Sequence, residues 1–139
     1  MKTLLLTLSI IVLITCTYLY RQSNDYVYSY DDMLIEKHQD TLDVLIDCES
    51  GGDGTAFHDN DGKKGSHSYG ILQFKKATLY SAIKRYNLYP YAKDYEYENF
   101  LYDTYAQKLA ASYILEFEKN ALNNWYNCAK LIKQKNDKL

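Results

Sequence analysis

LIEKHQDTLDVLIDCESGG, residues 34–52, decides the reading of the fold. Ile35, His38, Leu42, Leu45 and Ile46 recur at helical spacing, and the Gly51-Gly52 pair stops the helix that they define. Projected at about 100° per residue, all five lie within about 60° of Glu49. Asp40, Asp43 and Asp47 fall on the other side. One carboxylate of the helix therefore sits on the line of the buried stripe, at the end that opens into a long polar loop. Partial desolvation and the negative end of the helix dipole both disfavour its anion. A carboxylic acid kept protonated in this way suits proton donation to a leaving oxygen. The alternative from the same residues is a Glu in a last helical turn that bends out to water.

Outward from this helix, residues 51–68 hold the Gly, Asp, Asn, Lys and Ser of a long exposed loop, a length that is often functional in a small domain. Ser68-Tyr69-Gly70-Ile71-Leu72-Gln73-Phe74 reads as a short extended or turning segment. Helices are expected over about 78–86 (Leu79, Ile83 and Tyr86 on one face), 102–119 (Leu109, Tyr113 and Phe117 inward) and 121–133 (Leu122, Trp125 and Ala129). The pattern is mostly α, with no internal repeat.

Upstream, no charge interrupts residues 3–20, which as a helix would span about 27 Å, close to the hydrocarbon thickness of a bilayer. Residues 1–21 read as a signal anchor or a signal peptide. The anchor is favoured because the first alanine of the chain is Ala56, so small residues for a cleavage site are scarce. Leu13-Ile14-Thr15-Cys16 resembles a lipoprotein box only faintly, threonine being a poor residue before an acylated cysteine. Lys2 precedes the segment and Asp25, Asp31 and Asp32 dilute Arg21 after it, which orients the C-terminal part outward. Residues 22–33 read as a polar tether, 34–133 as one domain and 134–139 as a polar tail. In an oxidising compartment, Cys48 and Cys128 either pair, for about 4 kcal/mol in the loop-entropy treatment, or remain buried thiols.

The net charge of -2 leaves no positive field for nucleic acid, which is excluded as a partner. The 16 tyrosines carry little functional weight by themselves, although Tyr95, Tyr97, Tyr102 and Tyr105 have faces suited to sugar rings. Aligning Gly62 of Asp59-Asn60-Asp61-Gly62 with an EF-hand glycine puts Phe57 at the first ligand position, so that reading fails. His38, His58 and His67 lack zinc spacing, and neither a metal nor another cofactor is expected. His38 is read as a packed histidine and Lys130–Lys138 as a solvated helix end.

Glu49-Ser50-Gly51, then Ser68-Tyr69-Gly70-Ile71-Leu72-Gln73-Phe74, then Trp125-Tyr126-Asn127-Cys128 resemble, in order and spacing, three signature segments of the soluble lytic transglycosylase and goose-type lysozyme superfamily. Asp103, Gln107 and the run Ala110–Ile114 resemble the helix lying between the second and third segments. The resemblance covers about residues 34–133. It implies a lysozyme-like fold with a short irregular or β-hairpin-like loop, preceded here by the hydrophobic N-terminal helix. It also implies cleavage of the β-1,4 bond between N-acetylmuramic acid and N-acetylglucosamine in peptidoglycan, giving 1,6-anhydro products. Glu49 becomes the general acid and then the base; Ser50, Ser68, Tyr69, Gln73, Tyr126 and Asn127 become substrate-binding residues. A disulfide between Cys48 and Cys128 would pin Glu49.

Ile71-Leu72 for Leu-Met is a conservative departure from the pattern, whereas Trp125 and Cys128-Ala129 alter the far wall of the cleft. In such transglycosylases the sugar's own N-acetyl group or 6-hydroxyl completes the reaction. A hydrolytic lysozyme would need a second carboxylate, for which Asp53, Asp59 and Asp61 are candidates, otherwise read as solvated loop residues. The remaining alternatives are a weakly catalytic peptidoglycan-binding module and a membrane-anchored structural protein. The expected protein is a monomer, membrane-anchored with its domain outside or secreted, with glycan strands as partner.

Overall fold

The computed structural model describes residues 2–59, 64–90 and 94–136 of the 139-residue chain. The chain divides into two compact units, Met1–Met33 and Leu34–Leu139. The first is made by helix α1 (Lys2–Lys37), which also supplies the opening residues of the second. Residues 22–33, read as a tether, are helical. They contain neither glycine nor proline, and extending a formed helix costs far less than starting one. Ile11, Leu13, Ile14 and Leu19 are exposed on α1. The Thr15 and Thr17 hydroxyls donate to carbonyls three and four residues back, which satisfies them inside an apolar stretch. Among the described residues no helix is long and apolar enough to cross a membrane.

The second unit is mostly α with a small sheet. A turn at His38 separates α1 from α2 (Gln39–Ser50), which buries Leu42 and Leu45 and ends on Gly51 at φ 64°. Three two-residue strands, β1 (Phe57–His58), β2 (Ser68–Tyr69) and β3 (Phe74–Lys75), follow in antiparallel order with Phe57 opposite Tyr69 and Tyr69 opposite Phe74. Then come α3 (Lys76–Tyr86), a 3-10 segment (Asp94–Leu101), α4 (Thr104–Phe117), a second 3-10 segment (Ala121–Trp125) and α5 (Tyr126–Asn136).

The core gathers Leu42 and Leu45 from α2, Leu72 and Phe74 around β3, Leu79 and Ile83 from α3, Ile114 from α4, and Trp125, Cys128 and Ile132. Helix α4 runs through its centre. Every residue from Leu109 to Ser112 is buried, and the alanines among them let neighbouring elements approach closely. Asp103 starts α4 by accepting from Ala106 N–H at 2.9 Å.

Two expectations on this unit are corrected. Phe117 points outward, because α4 ends there after leaving the core; it joins Tyr86 and Tyr113 in an aromatic row, the rings 5.2–6.0 Å apart. The expected single helix over 121–133 is instead a 3-10 turn that seats Trp125, followed by α5. His38 is packed as expected and is 2.9 Å from Glu116.

Candidate active site

Helix α2 ends where its glycine cap turns the chain away, leaving Glu49 half-buried on the last turn. Cys48 and Cys128 are joined in a disulfide that ties this turn to α5. Glu49 Oε1 lies 2.8 Å from Cys128 Sγ. A bonded sulfur has no hydrogen to donate, so this is a close packing contact between the carboxyl and the bridge. Beside it, Ser50 Oγ donates to the carbonyls of Ile71 (2.8 Å) and Ile46 (3.2 Å) and accepts from Gly52 N–H. The hydroxyl is thus a clamp between the end of α2 and the turn that carries residues 70–73.

That turn is held from below by Gln107, which is fully buried on α4. Its Oε1 accepts from Leu72 N–H at 2.8 Å, while its Nε2 donates to the carbonyls of Tyr69 (2.9 Å) and Leu101 (2.5 Å). Gly70 has φ 71°, and a Cβ there would overlap both Gln107 and the Leu101 carbonyl. Gln73 also adopts a left-handed backbone, φ 49°. Its Nε2 donates to the carbonyls of Gly70 (2.8 Å) and Ala56 (3.2 Å), which settles which end of the amide is nitrogen. Gln73 is 6 % exposed, and its Oε1 has no hydrogen-bond partner among the described residues. A buried acceptor of this kind is costly unless something donates to it.

Glu49, Gln73, Phe74 and Lys75 line a cavity of about 360 Å³ together with Thr78, Asn123, Asn124, Tyr126 and Asn127. Trp125 also faces it while remaining buried: its indole N–H donates to the Leu72 carbonyl at 2.9 Å, and its ring meets Phe74 edge-on at 5.3 Å. The tryptophan therefore binds the far wall to the 70–73 turn. Tyr126 is exposed, with the Lys130 ammonium 5.5 Å from its ring centre.

Of the residues singled out from the sequence, folding brings Glu49, Gln73, Tyr126 and Asn127 to one cleft. Ser50, Ser68 and Tyr69 do not line it. Ser50 clamps the turn from behind, Ser68 is fully buried opposite Lys75 in the sheet, and Tyr69 packs with Phe57, His67 and Tyr102. Tyr97 is a core residue and Tyr102 is exposed. Lys75, Thr78, Asn123 and Asn124 are lining residues that sequence reasoning missed; the 3-10 turn that presents the two asparagines has no period by which to find them.

Asp53 and Asp59 do not line the cleft. The Thr55 hydroxyl and then its N–H donate to Asp53, holding that carboxyl below its ordinary range and therefore ionised. Asp59 sits 2.8 Å from His67 Nδ1, near enough to attract though out of line for a hydrogen bond. Asp61 lies outside the described residues. Among the described residues that line the cleft, Glu49 is the only acid. Donor atoms of Cys48, Glu49 and Cys128 lie within 4.8 Å of one another, but the two sulfurs are spent on each other and offer no thiolate to a metal.

No protein-family model matches the chain, and no curated protein and no solved structure does.

Proposed function

We propose that the chain cleaves the glycan strands of peptidoglycan between N-acetylmuramic acid and N-acetylglucosamine, as a lytic transglycosylase of lysozyme-like fold. The observation that carries the proposal is the setting of Glu49: a half-buried carboxyl at a helix end beside a disulfide, and the only acid among the described residues of a cleft otherwise lined by Lys75, amides, hydroxyls and aromatic rings. A cleft of about 360 Å³ falls within the usual size of small-ligand sites.

In this reading Glu49 gives its proton to the glycosidic oxygen as the C1–O bond breaks. The substrate's own acetamido group supports the developing positive charge. The Glu49 carboxylate then takes the proton of the 6-hydroxyl as that oxygen attacks C1, closing the 1,6-anhydro ring and restoring the acid. Gln73 Oε1 receives a donor from the sugar, for which the N-acetyl N–H is the natural candidate. Aromatic and amide groups at Tyr126 and Asn127 flank the opposite side. The disulfide suits an oxidising compartment, and the apolar residues exposed on α1 suit attachment at a membrane, with the second unit outside.

Muropeptides released from purified walls by the full chain, read by mass spectrometry beside Glu49→Gln, test the proposal. Anhydro products from the wild type alone support it. Reducing ends would make the enzyme a hydrolase, and wall binding without release would make it a binding module.

A further inference from the structure

Cys48, Glu49 and Cys128 bring two sulfurs and a carboxylate to one corner of the second unit, with a donor atom from each within 4.8 Å of the others. Soft sulfur beside a hard carboxylate is a donor set that suits zinc. In a tetrahedral zinc site, bonds of about 2.3 Å to sulfur and about 2.0–2.2 Å to oxygen put neighbouring donor atoms roughly 3.3–3.8 Å apart. Glu49 Oε1 already lies 2.8 Å from Cys128 Sγ, so small side-chain rotations bring the donors to that spacing. The two cysteine Cα atoms, 5.9 Å apart, are within reach of one shared ion. While the bridge stands, its sulfurs carry no charge. Reduction changes that, since the thiolate is the ligand form of cysteine.

The corner does not rest on the bridge alone. Leu42 and Leu45 of α2 share one core with Ile132 and Cys128 of α5, and Cys128 is 2 % exposed. Ser50 ties the end of α2 to the Ile71 carbonyl, while Trp125, directly ahead of α5, is tied to the Leu72 carbonyl. Both cysteine-bearing elements therefore stay anchored to the 70–73 turn when the sulfurs part. The three donors remain together around one ion, with the fourth tetrahedral position left to water.

Resting on Glu49 as the acid of the proposed cleavage, we infer that the dithiol form of the chain binds zinc between Cys48, Cys128 and Glu49 and is thereby inactive. A dithiol reductant supplies the step. Its thiolate attacks the half-buried Cys48 sulfur, the S–S bond breaks, and Cys128 leaves as a thiolate. The second thiol of the reductant then displaces Cys48 and departs in its own disulfide, so two electrons and two protons have passed to the chain. Zinc replaces those two protons and takes the Glu49 carboxylate as third ligand. A carboxylate bound to zinc has no proton to give a glycosidic oxygen. In reverse, a disulfide oxidant accepts the two electrons, zinc departs, and the carboxyl is released. The site thus holds metal where thiols are kept reduced, and frees its acid in an oxidising compartment.

The full chain is reduced with dithiothreitol, freed of it under argon, and titrated with zinc against a chromophoric chelator. The oxidised chain, reduced Cys48→Ser and reduced Glu49→Gln are treated alike. The oxidised chain keeps the exposed Cys16 and so controls for that thiol. The inference expects one zinc per reduced chain, none in the oxidised chain, loss of binding in Cys48→Ser, and at least about tenfold weaker binding in Glu49→Gln. Glu49→Gln retains both thiols, so it separates a three-ligand site from two sulfurs that capture zinc in an unfolded chain. If it binds zinc as tightly as the reduced wild type, or if the oxidised chain binds equally well, the inference is overturned. Anhydro-muropeptide release is followed in parallel and should be abolished by zinc in the reduced chain and restored by chelation. Where the oxidised chain cuts, equal release from the reduced chain with and without zinc overturns the inference. If zinc binds as expected while the oxidised chain releases nothing, the metal site stands and the proposed cleavage falls.

Discussion

Glu49 shares α2 with Asp43 and Asp47, which are exposed, and Asp43 accepts from Gln39 at 2.6 Å. What separates Glu49 from them is its position at the end of the buried stripe. Because a general acid contributes about 10²–10⁴-fold, Glu49→Gln should lower anhydro-muropeptide release by that factor without moving the unfolding midpoint. The glutamine keeps the shape and loses only the proton. Gly70 is a different kind of residue-scale demand, since its left-handed backbone lies against Gln107 and the Leu101 carbonyl. An alanine there meets both the backbone penalty and a steric overlap that rigid neighbours cannot relieve. Gly70→Ala should therefore cost more than about 2 kcal/mol in denaturant unfolding. Gln107→Leu should cost about 2–3 kcal/mol, because the Leu72 N–H and the Tyr69 and Leu101 carbonyls lose their partner in the core. If either variant unfolds like the wild type, the Gln107 support is not what holds the turn.

At the scale of elements, the end of α2 was legible because Gly51-Gly52 is a strong stop, and the mostly α character followed from periodicity. The break at His38 was not legible, since the apolar period runs through it unaltered from Ile35 to Leu42. Nearness in sequence also misleads about the site. Ser50 follows Glu49, but one helical step turns a side chain by about 100°, and here the step takes Ser50 to the Ile71 carbonyl behind the cleft. Ser68 and Tyr69 were grouped with Gln73 as one motif, yet the strand they form packs into the core and the aromatic cluster, and only the far end of the turn reaches the cleft. The 3-10 segments gave no period at all, which hid Asn123 and Asn124. The disulfide joins the elements that bear Glu49 and Tyr126 across 80 residues. Replacing both cysteines by serine should cost about 4 kcal/mol on the loop-entropy account, measured by denaturation against the reduced and oxidised wild type. Cleavage should fall further than the unfolded fraction explains, because the sulfur packed against Glu49 is gone. Equal losses in the two quantities would make the bridge a staple only.

On the scale of the molecule, Lys37 and His38 lie near the start of the second unit, and Glu116 on α4 meets both, at 2.7 and 2.9 Å. Hydrogen bonds from Lys37 and then from His38 hold the Glu116 carboxyl below its ordinary value of 4.5. A group whose value is depressed by folding stabilises the fold wherever the unfolded chain would also be ionised, that is, above 4.5. As pH falls from there through the lower folded value, the proton binds the native state too and the contribution disappears. The Lys37 side chain is 57 % exposed, so the effect is modest and screened by salt. Thermal unfolding of the wild type and Glu116→Gln, followed from neutral pH down to about pH 3 at low ionic strength, isolates it. The variant should melt lower at neutral pH, and the two curves should converge as the acid limb is descended. Parallel curves would mean that Glu116 is ionised to the same extent folded and unfolded, and that the contacts of Lys37 and His38 add no pH-dependent tie between the start of the second unit and α4.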